Sequence, residues 1–418
     1  IPKCSFSTAR QQSNILGIIS SINPNYVRNS GFGLVWVVNK NGSIKNGSLI
    51  AAAEEERFRR IKHWAGFPSE TIKWCLSVEN IDLSDIDHIA INQDPKANIF
   101  KKIFHLIKNP PNLDMLVSRF RNKLERKNLK EILKKEFPNF LFSGKIHNIE
   151  HHAAHLSSAF HTSPFEKAAV LSVDGFGDFA STVWGVGHAE NINIDSRVYF
   201  PHSLGIFYMA LTQFIGFKNW GDEYKVMGLA PYGKPVYLKE IRKIINLKKN
   251  GKFELNLDYF CHHKKKIEYF WENGNPSVKN IYTSELEKLL GCSRKPGEEL
   301  TQRHKDIAYS TQAIYEETFF HILNEIYKKY KIETLAIAGG CAFNSVANGK
   351  ILKRTSFKNL YVQSAAGDAG GAIGAALMTW HKVKEKKAVE KIQFHDHAYW
   401  GPSFTNEYCG KLLKQKKI

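Results

Sequence analysis

Apolar and polar positions divide the 418-residue chain into short β-branched runs separated by longer stretches of helical period. A buried strand reads as a near-continuous apolar run, whereas a surface helix repeats its apolar side chains every three to four residues. On this pattern Asn14 to Ile19, Gly33 to Val38 and Ser48 to Ala53 are strands. Asn39-Lys40-Asn41-Gly42 is a hairpin turn between the last two, since Asn-Gly accepts the left-handed backbone such turns need. Phe67-Pro68-Ser69-Glu70 opens a helix that runs through Trp74 and Cys75, and Ile86 to Gln93 is a further strand. Lys101 to Phe137 has helical period, is rich in Lys and Arg, and is broken by Pro110-Pro111. It reads as a peripheral helical insertion, with a groove for an anionic partner as the other reading.

The second half of the chain repeats the alternation. Ala168 to Val173 is a buried strand ending in the turn Asp174-Gly175-Phe176-Gly177-Asp178, and Trp184-Gly185-Val186-Gly187 closes another hairpin. Trp220 to Gly233, with glycines near both ends, reads as loop, short helix, loop. Asp306 to Tyr330 is a long amphipathic helix with Ala308, Thr311, Tyr315, Phe319, Ile322 and Ile326 along one stripe. It feeds the strand Thr334 to Ala338, which ends in Gly339-Gly340-Cys341-Ala342-Phe343-Asn344. Tyr361 to Gln363 is a strand, and residues 366–376 form a Gly-rich turn entering a helix of small residues. Strands alternating with helices predict an α/β protein, and the length predicts two lobes.

Composition narrows the class. A hydrophobic share of 43% and a charged share of 24% suit an ordinary globular core. The apolar run Ile15 to Ile22 is too short to span a bilayer, and no basic-then-apolar leader precedes it. Cysteines at 4, 75, 261, 292, 341 and 409, with no CxxC, point to a reducing, cytoplasmic setting and away from disulfides or structural zinc. The net charge of +19 permits a polyanionic partner, but pairs such as Lys134-Lys135, Lys248-Lys249 and Lys328-Lys329 are spread through the chain. That spread reads as solvated helix faces, and no nucleic-acid partner is expected from charge alone.

The chemistry concentrates in a few stretches. His151 and His155 are four apart, so on a helix their side chains share a face roughly 6 Å apart, the geometry in which two imidazoles hold one metal ion. His152 and His155, at spacing three, are a second option, and an ordinary hydrogen-bonded pair is the plain one. The Asp174–Asp178 turn lets backbone N–H groups approach phosphate while a carboxylate holds a cation or a water. Asp222, Glu223 and Lys225 put three ionisable groups into four residues, either a substrate wall or a charged turn over a small core. Gly339 and Gly340 allow a nucleotide's ring and ribose to lie against backbone, and Asp368 at a helix start can face metal or phosphate. Cys261-His262-His263 is a weaker metal candidate, because adjacent ligands diverge.

The order strand–turn–strand, HxxxH, strand–Asp-Gly-x-Gly, strand–Gly-Gly-x-x-x-Asn and Gly-Asp-x-Gly-Gly resembles the two-lobed actin/hexokinase-like ATPase fold with a metal pair added. EEERFRRIKHWAGFP, EHHAAHLSSAF, VDGFGD, GDEYKVMGLAPYG, AGGCAFNSVANGK and SAAGDAGGAIGAA together resemble the NodU/CmcH O-carbamoyltransferases, in register from about Ile15 to Trp400. The first domain of that family is similar to the tRNA threonylcarbamoyladenosine transferase and to the carbamoyl-transfer part of HypF. The resemblance implies a divalent ion, iron foremost, held by His151, His155 and Asp368. It implies phosphate contacts from Gly175 and Gly177, with Lys225 on the nucleotide side, and adenosine contacts around Gly339, Gly340 and Asn344. Lys62 and His63 would lie near the carbamoyl or phosphate end.

The implied reaction passes a carbamoyl group from carbamoyladenylate, made from carbamoyl phosphate and ATP, to a hydroxyl of a small acceptor such as a sugar. Asp222 is favoured over Asp174 as the base. A nucleotide-binding regulatory or tRNA-modification subunit of the same fold is the alternative. The lobes are expected at 13–165, with the insertion at about 101–137, and at 166–395. Residues 396–418 are expected to form a linker toward the YrdC-like domain that the family carries. Where the family places a His-Asp or His-Asn pair in the first turn, this chain offers Arg28-Asn29.

Overall fold

The computed structural model describes residues 15–18, 49–64, 66–108, 129–139, 141–264, 269–272, 275–383 and 397–417. Two sheets carry the fold. The first is wholly parallel, with β1 (Ile15–Ile18), β2 (His88–Ile91) and β3 (Lys145–Asn148) in that order. The second holds β4 (Lys167–Gly177), β5 (Ala180–His188), β6 (Asn191–Tyr199), β7 (Thr334–Ala338) and β8 (Asn359–Val362), in the order β8-β7-β4-β5-β6. There β4, β5 and β6 form an antiparallel meander, while β7 and β8 run parallel to β4 on its other side. A meander of three strands with two parallel strands added beside the first is the sheet plan of an actin/hexokinase-type lobe. The chain is therefore two-lobed α/β of that type. The expected strand Gly33–Val38, the turn Asn39–Gly42 and the first-turn residues Arg28-Asn29 lie outside the described residues.

Central strands with both faces covered read as continuous apolar runs, and Ala168 to Val173 is buried throughout. Among the helices of the described residues, eight bear on the site or answer to stretches of helical period in the sequence. They are α1 (Ser69–Val78), α2 (Ile99–Lys108), α3 (Leu129–Glu136), α4 (His151–Phe160), α5 (Leu204–Phe214), α6 (Glu223–Leu229), α7 (Gln302–Tyr330) and α8 (Asp368–Val383). The stripe expected on the long helix is real: Ala308, Thr311, Tyr315, Phe319, Ile322 and Ile326 of α7 are all buried, and it packs on α5 and α6. α8 leaves the second sheet and lies against α4, β1 and β2, so one helix joins the two halves.

Some expectations change. Trp184-Gly185-Val186-Gly187 is not a hairpin turn but mid-strand in β5, and the chain reverses at Ala189-Glu190. Those glycines serve close approach instead: a Cβ on Gly185 would strike the Asn193 carbonyl, and one on Gly187 the Phe160 ring. Strand β4 runs on past Asp174, with an irregularity between Val173 and Gly177, so the turn is Asp178-Phe179. Residues 49–53 pair with no strand among the described residues, although Leu49, Ala51 and Ala53 are buried alternately. The insertion contributes α2 and α3, and Pro110-Pro111 lies outside the described residues. In the segment expected as a linker, the Trp400 carbonyl accepts a hydrogen bond from Ala52 N–H (3.0 Å) and residues 406–415 form a helix. Among the described residues no helix is long and apolar enough to cross a membrane.

Candidate metal and nucleotide site

α4 starts at His151, where the Glu150 carboxylate accepts from Ala153 N–H at 2.8 Å and satisfies one of the open amides of a helix start. His151 and His155 lie one turn apart and bring their Nε2 atoms to 3.0 Å of one another. Asp174 on β4 places Oδ2 at 3.1 Å from the first and 3.5 Å from the second. Asp368, the first residue of α8, places Oδ1 at 3.4 and 3.3 Å. All four donor atoms lie within 4.8 Å of one another. An ion about 2.1 Å from each ligand needs donors about 3.0 Å apart in octahedral and about 3.4 Å apart in tetrahedral geometry, so these separations fit one. Buried Asp368 Oδ1 meets the two imidazoles at these long separations and has no other polar partner among the described residues, as expected of an atom shaped for an ion.

The electrostatics show a site dominated by negative charge, where a metal ion would displace the protons that the carboxylates hold on the imidazoles. Burial alone would push both imidazoles down, but the carboxylates of Asp174 and Asp368 outweigh it. They hold His151 up to about 10 and raise His155. Burial opposes ionisation of Asp174, yet the two imidazoles keep its carboxyl well below the usual range. His152 takes no part in the cluster. Its Nδ1 meets Ser172 Oγ at 2.9 Å, and burial, with the two neighbouring imidazoles, pushes it down to about 3. His151 and His155 are thus the converging pair, and the spacing-three option is set aside. At the weaker candidate, His262 Nε2 meets the Pro201 carbonyl at 2.8 Å and Cys261 Sγ donates to the Asn280 carbonyl, and no donor cluster forms there among the described residues.

Beside the cluster opens a cavity of about 430 Å³. Asp174 and Asp368 reach it, together with His63, Gly175, Glu223 and Gly340. Gly340 N–H donates to Asp174 Oδ1 (3.0 Å), tying the turn after β7 to the metal cluster. Gly339 does not face the cavity. It has φ +93° and crosses the Val173 backbone so closely that a Cβ would collide. Tyr315 of α7 fixes the same turn by donating its hydroxyl proton to the Cys341 carbonyl (3.0 Å). Asn344 lines the cavity and caps the next helical turn by accepting from Ala347 N–H (3.0 Å).

The other expected residues divide. Gly175 faces the cavity with open space at its Cβ position, whereas Gly177 lies under the His151 ring, which a Cβ would strike. Lys62 is exposed and does not line the wall, while the His63 ring packs at Gly221. Asp222 is turned from the wall: its carboxylate pairs with Lys225 at 2.7 Å and accepts from Asn219 N–H at 3.1 Å. The carboxylate on the wall is its neighbour Glu223. Burial raises Glu223 to about 7, against hydrogen bonds from its own backbone N–H and that of Gly221, and the adjacent Asp222 charge adds to the rise. The sequence offered both side chains, and its one pointer was the Lys three residues after Asp222, which pairs with it; the Asp222 side chain does not cap the helix it precedes. Asp174, expected as a base, instead joins the donor cluster.

Residues 41–377 match the family described as "Carbamoyltransferase N-terminus". The uncharacterized protein sll1178 of Synechocystis sp. is 38% identical over 388 residues, covering 89% of this chain and 60% of that protein. The nodulation protein NolNO of Sinorhizobium fredii is 32% identical over 367 residues, covering 87% of this chain and 49% of its own. The chain thus spans about half the length of the curated relatives it matches. A crystal structure of T. kodakarensis HypF aligns with a TM-score of 0.39 at 14% identity, covering 89% of this chain and 48% of that one.

Proposed function

The chain belongs to the carbamoyltransferase N-terminus family, and from that membership we propose that it transfers a carbamoyl group from carbamoyladenylate to a hydroxyl of a small acceptor such as a sugar. The observation that carries this reading is one cavity wall shared by the ends of a His-His-Asp-Asp cluster, a Gly-rich turn and a carboxylate raised to about 7. The adenosine would lie at Gly340 and Asn344, with the phosphate beside Gly175. The acceptor oxygen attacks the carbamoyl carbon, a C–O bond forms there, and the bond from that carbon to the phosphate oxygen breaks to release AMP. The hydroxyl proton passes to Glu223, whose affinity for it suits a base working near neutral pH. In this reading Glu223 takes the role expected for Asp222, which its ion pair with Lys225 occupies.

His151, His155, Asp174 and Asp368 would hold a divalent ion, and a set of two imidazoles and two carboxylates suits iron. Such an ion would supply positive charge to neutralise phosphate and polarise the leaving group. Carbamoyladenylate itself would come from carbamoyl phosphate and ATP on a YrdC-like domain, the partner this reading requires. The scattered cysteines support a cytoplasmic setting.

The test supplies carbamoyladenylate directly to the metal-loaded chain with a panel of sugars and follows AMP and carbamoylated product by mass spectrometry. Product from a sugar alone is expected. Turnover that demands tRNA and partner proteins would favour the tRNA-modification reading, for which the net charge of +19 is the one supporting feature.

A further inference from the structure

We propose that the two-residue turn Asp178-Phe179 is the joint through which residues 94–105, after β2 of the first sheet, position the metal-binding helix, with Asp178 as a positioning residue. The inference rests on the metal reading of the His-His-Asp-Asp cluster. Three hydrogen bonds from two segments converge on Asp178. Its Oδ2 accepts from His151 N–H at 2.9 Å and from Asp94 N–H at 2.8 Å. Its backbone carbonyl accepts from Asn98 Nδ2 at 2.8 Å. Asp94 and Asn98 follow β2 of the first sheet, and His151 opens the helix that carries both imidazoles. A single carboxylate oxygen therefore links the segment after β2 to the first amide of α4, where a negative charge is also favoured by the helix dipole.

A second observation points to the same turn. Gly177 pairs with Ala180, so Asp178 and Phe179 alone reverse the chain, at φ +45° and +75°. Left-handed backbone is tolerated by Asp but is costly for an aromatic residue, and such strain persists only where surroundings impose it. The surroundings here come partly from the segment after β2. The His105 ring of α2 meets Phe179 edge-on at 5.5 Å and Phe200 at 5.1 Å, and Phe200 meets Phe179 at 5.5 Å. Asn98 is itself left-handed at φ +55°. A turn that only joined two strands would do better with Asn-Gly. The sequence keeps a carboxylate and a ring, each engaged by residues 94–105. An outer partner that orients a ligand in this way is typically worth about 10- to 100-fold in metal affinity.

The experiment measures ferrous-ion affinity of the full chain by chelator competition under anaerobic conditions, with thermal melting to show that each variant folds. Asp178→Ala should weaken binding by about 10- to 100-fold. Asp178→Asn should restore most of it, because an amide oxygen accepts the same two N–H donors. Asn98→Ala, which loosens the joint without touching α4, should weaken binding by a smaller factor and should speed amide hydrogen exchange at His151. Unchanged affinity in Asp178→Ala, with His151→Ala metal-free, overturns the joint and leaves the metal site standing. Metal retained by His151→Ala overturns the metal reading itself. If Asp178→Ala does not fold, Asn98→Ala decides, and wild-type affinity and exchange there overturn the proposal.

Discussion

Glu223 and Asp222 are adjacent in the chain and carry the same kind of group, yet only one of them faces the cavity. Asp222 is fixed by Lys225 and by Asn219 N–H, whereas Glu223 meets the apolar wall, which raises it to about 7. A carboxylate raised in this way accepts a proton only above its own value, so transfer should climb with pH through about 7 and level off beyond it. Glu223→Gln should lower the rate by about 10²- to 10⁴-fold, the usual worth of a positioned base, and remove that acidic limb. Rate–pH profiles of the two proteins check this, and an intact limb in the variant would return the role to Asp222.

At the scale of elements, the site depends on how closely α4 and α8 approach. Gly374 of α8 lies against the Ala154 carbonyl of α4, and a Cβ there would also press within 2.7 Å of Ser158 N. These two helices carry His151 and His155 on one side and Asp368 on the other, so their separation sets the ligand spacing. Gly374→Ala gains about 1 kcal/mol of helix propensity, but overpacking a tight contact costs about 1 to 3 kcal/mol. The contact is to backbone, which cannot step aside, so the loss should win. Lower stability in urea and at least about tenfold weaker metal binding are expected, in line with a disturbed ligand geometry. A variant as stable and as tightly metallated as the parent would show that the helices can part without consequence.

For the whole molecule, the ion would join β4, α4 and α8, which come from separate parts of the chain. Only the folded chain brings these four ligands together, so binding should stabilise it by mass action, by about 2.7 kcal/mol at a hundredfold excess over Kd. Chelation should therefore lower the unfolding temperature measured by calorimetry by several degrees, and His151→Ala should melt at one temperature with or without chelator. A parent chain indifferent to chelation would argue against a resident ion.

What the sequence determined by itself was the strongly periodic elements and the spacing within them. The apolar run 168–173, short and bounded by a Gly-rich turn, read as a covered strand, the stripe from Ala308 to Ile326 read as one face of a helix, and the spacing of His151 and His155 gave a shared face once that stretch was helical. The same chain hid whatever depends on contacts between distant segments. Gly185 and Gly187 looked like a turn because a glycine signals conformational freedom and close approach alike, and only Asn193 and Phe160 across the sheet distinguish them. Asp174 joins the donor cluster because β4 runs beside α4, which a linear spacing does not encode. Glu223 was separated from Asp222 by the direction of one helix start. The tertiary structure decided these points because desolvation, ligand convergence and steric approach are properties of neighbours in space, and neighbours in space are what folding supplies.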